Sequence, residues 1–347
     1  MKSLVLKTTL LTFACSAAFA GKINLDARTE MESYSTNDKL AKPAYTVFKV
    51  SRLKIDFQGA LGELNTYRVR LDPLKTSEAP SLANKRSGTG PDVDFAFLTH
   101  KLTDEWNLSM GKVITGMGGA EAMNNPGDIY LRSVAGDEIA TVFWPVGMQA
   151  QGVWGDHKLN INVVNVSEDV TTGGNVSSTS PMYGLTYMGK FSEGAILPSI
   201  SYHTEDFKDS ATVKQTRNYL AVGAKFLVSD FEIEADMLSN TRKPDPQAAA
   251  KALDTTSAVA LVRYKMETGS VHLKYENSAV NTSTGVDTKT KSDITGLTLA
   301  YEFKPIKDDN WRFHVAATQK DTKPENGDTQ SEKKVLVGMR ILADFLK

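Results

Sequence analysis

Between residues 226 and 238 the chain reads FLVSDFEIEADML, and after Ser229-Asp230 its polarity alternates without a break. Phe231, Ile233, Ala235 and Met237 fall on one phase, and Glu232, Glu234 and Asp236 on the other. A two-residue punctuation followed by strict alternation predicts a hairpin strand with one apolar and one charged face. The same period recurs from Gly21 onwards, with no helical period of useful length. Ile23, Leu25, Ala27, Thr29 and Met31 oppose Asn24, Asp26, Arg28, Glu30 and Glu32; Leu53, Ile55 and Phe57 oppose Arg52, Lys54, Asp56 and Gln58; Tyr67, Val69 and Leu71 oppose Arg68, Arg70 and Asp72. Further strands are expected at 93–97, 106–110, 148–154, 159–163, 183–191, 196–204, 220–228, 231–237, 258–266, 271–275, 297–303, 311–317 and 335–345. The total is about sixteen, an even number of segments long enough to cross a bilayer at a tilt.

The connections alternate in length. Short turns at Gly59–Gly62, Thr103–Asp104, Gly155–Asp156, Ser192–Gly194, Ser229–Asp230 and Glu267–Ser270 are interleaved with loops of roughly ten to thirty residues, the rhythm of short periplasmic turns and long extracellular loops. Phe57, Trp106, Trp154, Phe191, Phe231, Phe303, Trp311 and Phe345 sit beside short turns, including three of the four tryptophans. Amphipathic rings at one end of successive strands form a girdle at a membrane–water boundary. A soluble barrel plugged by aromatics is the competing reading. It leaves Arg52, Lys54, Arg68, Arg70, Glu232, Glu234, Asp236, Arg263, Lys265, Arg312 and Arg340 around a structure with no second apolar layer. A single closed sheet with a wet, charged interior and a lipid-facing exterior needs no such layer. The expected fold is therefore all-β: a transmembrane antiparallel β-barrel.

Composition adds the compartment. Lys2 and Lys7 precede Leu10-Leu11-Thr12-Phe13-Ala14, and Ala18-Phe19-Ala20 follows as a cleavage site, so residues 1–20 read as a signal peptide and 21–347 as one barrel domain. Cys15 is the only cysteine, and bulky Phe13 ahead of it argues against lipidation. Cleavage before Gly21 leaves an exported chain that relies on no disulfide. The net charge of -1 offers no basic surface for nucleic acid. His100, His157, His203, His272 and His314 are scattered, with no metal-ligand spacing and no catalytic motif, so neither an enzyme nor a cofactor is expected.

About sixteen strands enclose a lumen too wide for side chains to fill, so something must narrow it. The longest connection, the third long loop, runs from about Thr115 to Pro145 and, unlike the other loops, is not purely polar, carrying Met117, Met123, Ile129, Tyr130, Leu131, Val134, Ile139 and Phe143. Gly116, Gly118 and Gly119 let it turn inwards. Its Glu121, Asp128, Asp137 and Glu138, with Arg132, would face Arg52, Lys54, Arg68 and Arg70 and set a transverse field for charged solutes. The bland alternative is that these bases only neutralise neighbouring wall acids.

FKVSRLKIDFQGALGELNTYRVRLDP (residues 48–73) followed by FAFLTHKLTDEWNLSMGKVITGMGG (residues 95–119) resembles the phosphate-selective porin O/P family of Gram-negative outer-membrane porins. The likeness rests on an Arg-containing strand, a short turn, a Tyr-Arg-x-Arg-like strand and a Gly-Lys at the third-loop entrance. It adds Lys112 to the candidate neck residues. It implies a homotrimer of barrels in the outer membrane that passes inorganic anions or small hydrophilic solutes by passive diffusion. The rivals are a non-conducting surface barrel, a barrel enzyme with a Ser/His/acid rim, and a soluble periplasmic binding protein.

Overall fold

A computed structural model describes residues 21–38, 43–74, 93–170, 176–208, 214–244, 252–284, 288–306 and 310–346. The expected signal peptide and Cys15 lie outside these residues. Sixteen strands are present: β1 (Lys22–Thr36), β2 (Tyr45–Ala60), β3 (Asn65–Leu71), β4 (Val93–Lys101), β5 (Trp106–Lys112), β6 (Val146–Trp154), β7 (His157–Val170), β8 (Val176–Met188), β9 (Ile196–Lys208), β10 (Lys214–Val228), β11 (Phe231–Pro244), β12 (Ala252–Met266), β13 (Gly269–Thr284), β14 (Thr288–Phe303), β15 (Trp311–Pro324) and β16 (Gln330–Leu346). Each pairs antiparallel with its sequence neighbours, and β1 pairs with β16 to close the barrel. Closure satisfies every strand edge, which a sheet in hydrocarbon requires because no water is there to do so.

Alternation decides what faces where. On β14, Leu297, Leu299, Tyr301 and Phe303 are between 39% and 55% exposed, while Thr298, Ala300 and Glu302 between them are buried. The opening stretch follows the same rule: Phe231, Ile233 and Met237 are exposed, and Glu232, Glu234 and Asp236 are buried. This is the inside-out pattern of a barrel with lipid outside and polar groups within. Beside the short turns Trp106 packs edge-on to Trp154 at 5.2 Å, and Phe231 lies 4.9 Å from Tyr264.

Two features depart from the alternation reading. Several strands run far beyond their expected ends: only residues 285–287 separate β13 from β14, whose pairing continues from Gly269↔Phe303 to Thr284↔Thr288. Loops expected to exceed ten residues are thus partly paired arms. Their Thr-, Ser-, Asn- and Lys-rich sequences carry no alternation because both faces there meet water. The second is a bulge in β2, where Arg28 pairs Arg52 but Thr29 pairs Val50, leaving Ser51 extra. One added residue inverts the side-chain phase. Phe48 and Val50 therefore face outwards while Lys49 turns into the lumen beside Glu30 and Glu32.

Candidate functional site

Residues 113–145 leave β5 and re-enter at β6 with their ends stapled by Val113 N donating to Pro145 O (2.9 Å) and Thr115 N to Phe143 O (3.2 Å). Between the staples lie two 3-10 turns, Glu121–Met123 and Pro126–Asp128, and one short helix, α1 (Val134–Ala140). Val113, Met117, Ala135, Ile139 and Val142 pack on Val164, Met182, Tyr219, Ala221, Leu238 and Val259 in one buried cluster. Those six wall residues are apolar side chains pointing inwards. Their signal was in the sequence as pairs that break alternation, such as Val163-Val164 and Met237-Leu238. An apolar residue on the wet phase of a barrel strand marks where something sits on it.

Hydrogen bonds fasten the segment to most of the circumference. Gln149 of β6 donates to Ile114 O (2.6 Å), Asn162 of β7 to Thr115 O (3.2 Å), and Ser201 of β9 accepts from Gly118 N (2.9 Å). Asp236 of β11 accepts from the backbone N–H of Ala120 (2.5 Å) and Glu121 (2.7 Å). Gly119 and Gly223 make room for that carboxylate, since a Cβ on either would lie within 2.0 Å of its Oδ1. Lys274 of β13 holds Glu121 (2.5 Å), which also accepts from Ser133 Oγ (2.6 Å). Asn240 and Thr255 donate to Glu138 at 2.5 and 2.9 Å. Asp128 is clamped between Arg312 (2.6 Å) and Arg340. Tyr130 donates to Glu302 (2.8 Å) under the Arg28 guanidinium. Burial, reinforced by Glu302, raises its pKa and keeps it a neutral donor.

The inner faces of β2 and β3 carry bases instead. Arg68 and Arg70 each donate to Asp56 at 2.7 Å and lie over the Phe95 ring at 5.0 and 4.7 Å. Lys54 binds Asp72 and Asp94 and approaches the Trp144 ring at 5.7 Å. Arg52 binds Asp26 at 2.5 Å, and Lys112 donates to Val93 O at 2.8 Å. Lys49 reaches Glu32 at 2.5 Å. Around three of them the bases stand in front: Lys49, Arg68 and Arg70 are 36%, 34% and 20% exposed, against 4%, 9% and 5% for Glu30, Glu32 and Asp56 behind them, whereas Arg52 and Lys54 are as buried as Asp26 and Asp72.

The geometry separates the candidate residues into two kinds. Arg52, Lys54, Arg68 and Arg70 share one wall, with Lys49 as a member the alternation reading missed. The phase break between Val50 and Leu53 was its signal. Glu121, Asp128 and Glu138 do not form an acidic face towards that wall, because they are turned to the opposite strands and hold the segment there. Only Asp137 among the four acids is well exposed, at 66%, with Arg132 at 3.8 Å. Although its own surface is open to the lumen, the protein mass around Asp137 still desolvates the carboxylate and raises its pKa, with Arg132 opposing and Glu121 adding to the rise.

The histidines bear on the enzyme alternative. Ser270, His272 and Glu302 meet inside the barrel, but the serine (2.7 Å) and the carboxylate (3.6 Å) both contact His272 Nε2. A proton relay needs the hydroxyl on one ring nitrogen and the acid on the other. The trio reads as a buried wall contact.

Comparison with known proteins bears on the whole arrangement. The model of the family described as phosphate-selective porin O and P matches residues 22–230. In fold the chain is similar to OmpT, an outer membrane protein of Vibrio cholerae solved in a trimer form, at 13% identity and TM-score 0.64 over 93% of this chain and 100% of that one. It is similar to the anion-selective porin from Comamonas acidovorans at 11% identity and TM-score 0.63, over 92% and 98% of the two chains. The outer membrane channel DcaP of Acinetobacter baumannii matches at 14% identity and TM-score 0.62, over 92% and 96%. No curated protein matches the chain in sequence.

Proposed function

The chain belongs to the phosphate-selective porin O and P family, and from this premise we propose that it is a passive channel of the outer membrane for small hydrophilic solutes, with a preference for anions. Solutes enter from the long-loop side, are sorted by size beside the segment 113–145, and are sorted by charge along β2 and β3. No turnover and no cofactor take part.

The observation that carries the anion preference is the layering of charge. At Lys49, Arg68 and Arg70 the paired acids lie buried behind the bases, so a solute passing them meets guanidinium and ammonium groups first. Charge at short range in a narrow path acts before the compensating charge behind it. The same pairing argues for a mild preference, because each base has already given part of its field to a carboxylate. A homotrimer is part of the proposal, supported by the trimer form of the Vibrio cholerae protein.

The test is conductance in a planar bilayer under a salt gradient. Stepwise ohmic insertions with a zero-current potential of the anion-selective sign support the reading. A folded barrel that inserts without conducting would move a closed surface barrel to the front.

A further inference from the structure

Arg68 and Arg70 of β3 form one rung of the basic wall with Asp56, and one ring touches both of them. Phe95 of β4 is 1% exposed, and the two guanidinium carbons stand 5.0 and 4.7 Å from its centroid. Register puts it there, since Phe95 pairs with Arg70 and Phe97 with Arg68. An inward-facing phenylalanine is out of place on the wet side of a barrel strand, where alternation asks for a polar residue. Two more rings brace it: Phe97 at 5.8 Å and, edge-on, Trp144 at 6.4 Å. Trp144 closes the segment 113–145, so the segment that enters the lumen also steadies this ring. Asp56 by itself is a poor anchor for two cations. Both arginines donate an Nη2 to the same oxygen, Asp56 Oδ2, at 2.7 Å, so like charges are drawn to one atom. A ring face attracts a cation through its quadrupole and adds no charge of its own. Phe95 thus holds the second guanidinium without cancelling it, which another acid would do.

We propose that Phe95 is the positioning residue for anion preference: its ring keeps Arg68 and Arg70 standing in front of Asp56, towards the lumen. The inference rests on the anion preference proposed above and assigns its support to a residue that meets no solute. Both arginine side chains are long and rich in rotamers, and a shared platform restricts them to conformers that present their charge to the pore. Without the ring, mutual repulsion separates them. One stays on Asp56, the other swings along the wall, and the positive field in the lumen weakens.

The experiment measures the chloride-to-potassium permeability ratio of the purified protein in a planar bilayer, from zero-current potentials under a potassium chloride gradient. F95L removes the ring and keeps an apolar side chain. Trifluorophenylalanine at position 95 keeps the ring's shape, and so the fold, while depleting the negative face. Both should lower the ratio about two- to fivefold, the scale of one partly exposed cation–π contact. F97L, whose ring carries neither guanidinium, should leave it in place. In an R68Q/R70Q background the same changes at position 95 should lower the ratio no further, because the groups they position are gone. A ring that only shaped the bore would still move it there. Heat-modifiable gel mobility and single-channel conductance check that barrel and bore are intact. A ratio unchanged by the fluorinated ring overturns the proposal, and so does an equal fall in the R68Q/R70Q background. A wild-type channel with no anion preference removes the parent reading and this inference together, whereas a preference that survives at position 95 removes this inference alone.

Discussion

The inner faces of β2–β3 and of β11–β13 both alternate charged residues with lipid-facing apolar ones, yet they use those charges in opposite ways. On β11–β13, Glu234, Asp236 and Lys274 are buried under the segment 113–145 and bond to it. On β2–β3, among the described residues, nothing comparable bonds over Arg68, Arg70 and Lys49, which stay partly open to the lumen. The first wall grips, and the second stays open to the lumen. Identical alternation thus gives two roles, and the difference is what lies across the lumen from each wall.

The largest expected effect comes from breaking the grip. Asp236→Ala leaves the amides of Ala120 and Glu121 buried without an acceptor, at about 1–3 kcal/mol each. Single-channel conductance should rise and thermal stability should fall, because the segment loses a central fastening. Gly223→Ala should act in the same direction, since its Cβ would occupy the place of Asp236 Oδ1. Unchanged conductance in both variants would show that the segment is held without this carboxylate.

The open basic wall is next. Replacing Arg68 and Arg70 together by Glu turns a rung of one net positive charge into one of three net negative charges. Zero-current potentials should move towards cation preference by several-fold in the permeability ratio, with the barrel intact. The matching change on the gripping wall, Glu138→Gln, should leave ion preference almost unmoved, because Glu138 bonds Asn240 and Thr255 instead of facing the open lumen. A selectivity change as large for E138Q as for the arginines would erase the distinction between the walls.

The smallest effect is a pH dependence at the edge of the segment. The Asp137 pKa lies above its ordinary value, so the folded protein binds this proton more tightly than the unfolded chain does. Its contribution to stability therefore falls as pH rises through that range. Falling pH removes the exposed negative charge of the segment earlier than it would neutralise an ordinary Asp. Anion preference should increase on acidification, and Asp137→Asn should start at the increased value with a flatter pH profile.

Much of this architecture is legible in the sequence. Each of the sixteen strands overlaps a segment that alternation marked, because lipid outside and water inside favour a period of two across the membrane, although several extend well beyond it and β8 stops at Met188, short of Phe191. The bases of β2 and β3 were legible for the same reason. What alternation missed has an equally physical cause. The paired arms of β13 and β14 beyond the membrane have water on both faces, so nothing imposes a pattern on them. Lys49 was hidden by a bulge that reverses phase within a few residues.

The sequence by itself therefore determined the barrel, its inward and outward faces and the existence of a long segment able to enter the lumen, since each follows from local contact with lipid or water. Only the tertiary structure decided which charges are fastenings and which stay open to the lumen. Glu121 and Asp137 lie in one loop and belong to one residue class, yet Lys274 claims the first while the second stays open. That choice depends on which strands, more than a hundred residues away in the chain, come to stand opposite.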